Sequence, residues 1–214
     1  MNASRQILGV LIAVASWVCL PATALANSIL DDWGSVKVPP PPALSKVTVD
    51  PKTTALLVLD IAKHTCNNEV RPRCIDALPQ AEKLLTKARA KAWFVVYALG
   101  IQPTPGVPAD IWPAVAMKGD EPWVRSGPDK YLGTDLEKIL RARGITRVVI
   151  MGTASHGAVL YTAGGSVFRG MDVVIAVDAV TAESTYAEQY ALWHLQNAPR
   201  MAAKVKLSTV DLID

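Results

Sequence analysis

From Thr53 onward, short strand-like runs alternate with amphipathic stretches, and this alternation constrains the fold more than any other feature of the chain. Thr54-Ala-Leu-Leu-Val-Leu59 is continuously apolar, as expected of a strand covered on both faces. Trp93–Tyr97, Arg147–Met151, Asp172–Val177 and Lys204–Leu207 are the later runs. Between them, Ala81–Ala90 carries Leu84, Leu85 and Ala88 at helical spacing. A helix from Thr134 opens on a T-x-x-E capping box, Thr134 with Glu137, and turns Leu136, Ile139 and Leu140 inward. Val159–Arg169 and Tyr186–Gln196 are further helices, the second opened by Thr185 with Glu188. The repetition implies an α/β fold: three α/β/α layers around a mainly parallel sheet of Rossmann-like topology. Gly-x-Gly-x-x-Gly follows none of the strands, so no dinucleotide cofactor is expected.

The residues before this series divide into two parts. Arg5 precedes the apolar run Ile7–Leu20, then Pro21 and Ala24-Leu25-Ala26. That order is a charged region, an apolar region and an A-x-A cleavage signal, so residues 1–26 read as a signal peptide cleaved after Ala26. A membrane anchor is the competing reading, since about 20 apolar residues span a bilayer. Residues 27–52 read as a Pro-rich arm around Pro39-Pro-Pro-Pro42, extended and solvated or else strapped across a folded surface. Residues 53–214 form the domain. Loss of Arg5 with the leader leaves 21 basic and 19 acidic residues, a net charge of +2. No basic stripe forms, so no nucleic-acid partner is expected, and no second apolar stretch suggests a membrane contact in the mature form.

Secretion to the periplasm or beyond suits the cysteines. Cys19 departs with the leader, leaving Cys66 and Cys74, a close pair that in an oxidising compartment reads first as a disulfide and otherwise as two thiols.

In open parallel sheets, ligands sit beyond the carboxyl ends of the strands. Asp60 ends the first strand there, placed either to act as a base or to cap the following turn. Gly152-Thr-Ala-Ser-His-Gly-Ala158 joins a strand to a helix, whose N-terminal N–H groups suit an anion or oxyanion.

These segments resemble the isochorismatase-like cysteine hydrolases. Leu56-Leu-Val-Leu-Asp60 is similar to the family's first strand and its catalytic aspartate, and Gly133-Thr-Asp-Leu136 to the G-T-x-L after its lysine. Arg143–Gly152 resembles the entry to the nucleophile loop, and Gly152–Ala163 the loop itself. The resemblance runs from roughly Thr53 to Ala198 and implies hydrolysis of small amide or related carbonyl compounds through a Cys–Asp–Lys triad. Carried across, Asp60 matches the aspartate and Arg125 stands at the lysine position, nine residues before Thr134, with Lys130 a stand-in or else a solvated loop lysine. Ala158 stands at the nucleophile position, which removes the covalent route, and the family's cis peptide falls at Gly157–Ala158. Arginine keeps the charge but cannot shuttle a proton.

Ser155, His156 and Gly157 are expected around the pocket and oxyanion site, with His64 and Trp112 at its edge; core packing is the alternative for Trp112 and Trp123. Ser155 and Cys66 are the substitute nucleophiles, Cys66 only if unbonded. No metal site is expected, because His64, His156 and His194 lack ligand spacing and Leu99–Trp112 lacks the histidines some relatives use for zinc. The partners expected are a small-molecule ligand or substrate and, because relatives often self-associate, a homo-oligomer. Two functions stand: a hydrolase acting without the cysteine, or a pseudoenzyme that binds a small ligand in the periplasm.

Overall fold

The computed structural model describes residues 28–101 and 104–214; the expected leader and its cleavage site lie outside them. The chain divides at Val38. In the first unit, α1 (Ile29–Asp32) is capped by Ser28, whose hydroxyl accepts from the Leu30 N–H at 3.2 Å, and a short turn follows over Trp33–Ser35.

The second unit, Pro39–Asp214, holds the sheet. Its strands are β1 (Thr54–Leu59), β2 (Phe94–Leu99), β3 (Trp123–Arg125), β4 (Arg147–Thr153), β5 (Asp172–Thr181) and β6 (Val205–Ser208). They lie in the order β3-β2-β1-β4-β5-β6, and every pairing is parallel. The helices are α2 (Pro72–Ala90), α3 (Leu136–Ala142), α4 (Leu160–Phe168) and α5 (Thr185–Asn197).

Side-chain alternation along β1 builds three layers. Leu56 and Val58 pack with Leu84, Leu85 and Ala88 of α2. Leu57 and Leu59 join Leu136 and Leu140 of α3, Ala163 and Val167 of α4 and Leu195 of α5 on the opposite face. Each of these buried leucines contributes about 1.5–3 kcal/mol relative to exposure.

Two local expectations change, and a third is resolved between its two readings. The second helix starts at Pro72, not Ala81, because proline pre-sets the first turn and Cys74 in that turn is bonded to Cys66. The Thr134–Glu137 capping box is half made: Thr134 Oγ1 accepts from Leu136 N at 3.2 Å, while Glu137 turns to Arg141 and Arg169. The arm is strapped from Ser45 onward, where Ser45, Val47 and Val49 N–H groups donate to Leu207, Leu212 and Asp214 carbonyls and Val47 and Val49 are buried. β3 escaped the sequence reading, since three residues on a sheet edge carry little periodic signal.

At one point β1 and β4 meet too closely for a side chain. A Cβ on Gly152 would lie 2.0 Å from the Leu59 carbonyl oxygen, and its φ of +129° belongs to glycine. The last residue of β1 and the loop after β4 are thereby brought together.

Candidate functional site

The carboxyl ends of β1 to β4 surround an open cleft of about 290 Å³. Asp60 enters from β1, Gly100 and Ile101 follow β2, the 126–130 loop follows β3, and Thr153–Ala154 with 156–158 close the β4 side.

Asp60 is held by its backbone before its carboxylate is considered. Its N–H donates to Ala98 O at 2.9 Å, and its carbonyl accepts from Thr65 Oγ1 at 2.5 Å. Its φ of +54° is a left-handed value that few side chains adopt but aspartate tolerates. The carboxylate meets Lys130 Nζ at 2.9 Å from Oδ1 and 2.8 Å from Oδ2. Lys130 is wholly buried, its Nζ also 3.3 Å from Ser126 O. The Lys130 carbonyl accepts from Thr134 Oγ1, and its N–H donates to Thr162 Oγ1, so the loop is tied to α4. Burial pushes the Asp60 carboxyl above its ordinary value, against the opposing pull of Lys130, Arg71 and His64. A carboxyl so placed is suited to proton transfer.

Ala158 is 4% exposed and lines the cleft in the turn Ser155–Val159, where Gly157 leaves helical geometry at φ −118°, ψ −106°. The cis peptide is Thr153–Ala154, two residues past Gly152, and not Gly157–Ala158. His156 and Gly157 line the cleft as expected, His156 Nε2 lying 3.3 Å from Glu183 Oε1.

Four expected site residues are elsewhere. Arg125 ends β3, whose exposed–buried–exposed alternation sends Trp123 and Arg125 outward; its Nε donates to Gly106 O and its guanidinium lies 5.1 Å from the Trp123 ring centre. The place expected for Arg125 beside Asp60 is filled by Lys130, whose loop turns inward. Trp112 packs against the α2-side core and donates from Nε1 to Cys66 O at 2.7 Å. Ser155 is buried outside the cleft lining, its hydroxyl without a partner. His64 is not among the lining residues, and its Nδ1 lies 4.0 Å from Asp110 Oδ2.

Cys66 and Cys74 form a disulfide, Cα to Cα 5.3 Å, so neither offers a thiol. The loop between them delivers Arg71 to the cleft, together with Thr65 just before it; neither was expected there. Only the short spacing of the two cysteines hinted that this loop folds back on the strand ends. Among the described residues, no group of three or more His, Cys, Asp or Glu is placed to hold a metal ion, and no helix is long and apolar enough to cross a membrane.

The Isochorismatase domain family model matches residues 54–207. Among curated sequences, the chain is 30% identical over 172 residues to the uncharacterized isochorismatase family protein YecD of Escherichia coli O157:H7, spanning 71% of this chain and 90% of that protein. It is 29% identical over 143 residues to the secreted isochorismatase effector Isc1 of Verticillium dahliae, spanning 62% of this chain and 75% of that one. The crystal structure of a cysteine hydrolase from Pseudomonas syringae pv. phaseolicola shares the fold with a TM-score of 0.69 at 20% identity, covering 79% of this chain and 94% of that one.

Proposed function

The chain belongs to the isochorismatase family, and from that premise we propose that it hydrolyses a small polar amide or related carbonyl compound without a covalent cysteine intermediate. The observation that carries this reading is the buried Asp60–Lys130 pair facing the cleft beside Ala158. A methyl group cannot attack, so the nucleophile is water. Asp60 takes a proton from that water as its oxygen bonds to the carbonyl carbon. Backbone N–H groups of the turn before α4 hold the oxyanion. The C–N bond then breaks, and Asp60 returns the proton to the leaving nitrogen. Lys130, bonded to both carboxylate oxygens, steadies Asp60.

The test is turnover of a panel of small amides by the wild type and by Asp60→Asn. Hydrolysis by the wild type that is lost in Asp60→Asn supports the reading. A second reading, a ligand-binding pseudoenzyme, is favoured by Ala158 itself. Ligand affinity that survives Asp60→Asn, with no amide turned over by either protein, would establish it instead.

We further propose that the protein acts outside the cytoplasm, released from its leader after Ala26. The Cys66–Cys74 bond supports export, because such bonds persist in oxidising compartments. N-terminal sequencing of the secreted protein tests it, with Asn27 as the expected first residue.

A further inference from the structure

We propose that Arg71 is the specificity-determining residue of the cleft and that it receives the carboxylate of an anionic ligand. This rests on reading the cleft as the ligand site, and it names the class of ligand.

Three cationic or ionisable side chains line the cleft besides Asp60, and they are differently engaged. Lys130 is committed to Asp60 through both carboxylate oxygens. His156 Nε2 leans on Glu183 Oε1 at 3.3 Å. Arg71 is only partly used. Its Nη1 donates to Thr65 O at 2.9 Å, which fixes the guanidinium at the cleft wall. Among the described residues its Nε is buried with no hydrogen-bond partner, 3.9 Å from Glu183 Oε2 and too far to bond. A buried donor left unpaired is costly, and pairing it with an incoming carboxylate removes that cost.

Glu183 therefore stretches between two bases at the cleft, Arg71 on the disulfide loop and His156 on the turn before α4. Its side chain is 48% exposed, and its contact with Arg71 is long. A ligand carboxylate offers the planar guanidinium shorter, charge-assisted bonds that Glu183 does not supply. The cleft is small, so the ligand is a short acid, with its carboxylate at Arg71 and its carbonyl towards Asp60 and Lys130.

Succinamate and succinamide form a matched pair of probes, alike except that one carries a carboxylate where the other carries a second amide. Calorimetric titration of the full mature protein is expected to show succinamate binding about tenfold or more tightly than succinamide. Arg71→Gln is expected to erase that preference by weakening succinamate more than succinamide. Arg71→Lys, which keeps the charge without the fork, is expected to retain part of it. Glu183→Gln, removing the internal competitor, is expected to tighten succinamate alone. Equal affinity for the two probes in the wild type, no binding of either, or a preference that survives Arg71→Gln each overturns the anchor. Hydrolysis of a neutral amide that still depends on Asp60 would leave the proposed function standing in those cases.

Discussion

Lys130 Nζ lies 2.9 and 2.8 Å from the two carboxylate oxygens of Asp60, although the residues are 70 positions apart in the chain. Both are buried, and among the described residues each forms an ion pair with the other alone. Lys130→Met is expected to lower stability by about 3–5 kcal/mol, because it strands a buried carboxylate. Lys130→Met combined with Asp60→Asn is expected to cost less than the two single losses summed. Urea unfolding of the four proteins at neutral pH measures both.

The raised Asp60 carboxyl makes a signed prediction for pH. Its pKa lies above the ordinary 3.8 because burial disfavours the charged form. The native protein therefore holds this proton to higher pH than the unfolded chain does. The stabilising contribution is full below the ordinary value and is lost as pH rises through the folded-state value. Over that interval the wild type is expected to lose stability relative to Asp60→Asn, as urea midpoints across the acid range will show. Hydrolysis is expected to rise through the same interval, as Asp60 becomes a base.

Ala158→Cys is expected to place a reactive thiol in the cleft near Lys130, whose charge favours the thiolate. Iodoacetamide should label position 158 faster than it labels free cysteine, and Lys130→Met in the same background should slow it. Peptide mass mapping locates the adduct. A labelling rate no faster than that of free cysteine sinks this expectation.

Replacing Cys66 and Cys74 by serine opens a loop of modest length. The chain-entropy model places the stability loss at about 2–3 kcal/mol. Thermal unfolding of the variant against the oxidised wild type measures it. Weakened discrimination between succinamate and succinamide is expected alongside, since the bond holds the segment that carries Arg71.

Gly152→Ala is expected to cost more than about 4 kcal/mol or to prevent folding. The added methyl carbon meets the Leu59 carbonyl at 2.0 Å, and backbone on both sides cannot yield as a flexible side chain would. Gly144→Ala, whose added Cβ meets nothing within 4 Å, serves as a control for the cost of positive φ alone. Chemical denaturation separates the two effects.

The layered fold and the position of Asp60 were legible in the amino-acid sequence because both depend on local pattern. Strand and helix periodicity is written in consecutive residues, and a carboxylate after a buried run falls at the ligand edge of a parallel sheet. The closely spaced cysteines likewise pointed to their bond. The identity of Asp60's partner was not legible. Spacing from Gly133-Thr-Asp-Leu136 pointed to Arg125, yet strand alternation at the sheet edge sends Arg125 outward, and Lys130 is drawn in from a loop with no periodicity. Trp112 was expected at the cleft and Arg71 was not, and the reverse is found for a similar reason: packing turns the tryptophan towards the α2-side core, and the disulfide-closed loop brings the arginine to the cleft. Sequence alone determined the elements with clear periodicity, though not the short edge strand β3, and the strand ends where chemistry collects. Tertiary structure alone decided which charges meet there, because that depends on loop paths set by packing between residues far apart in the chain.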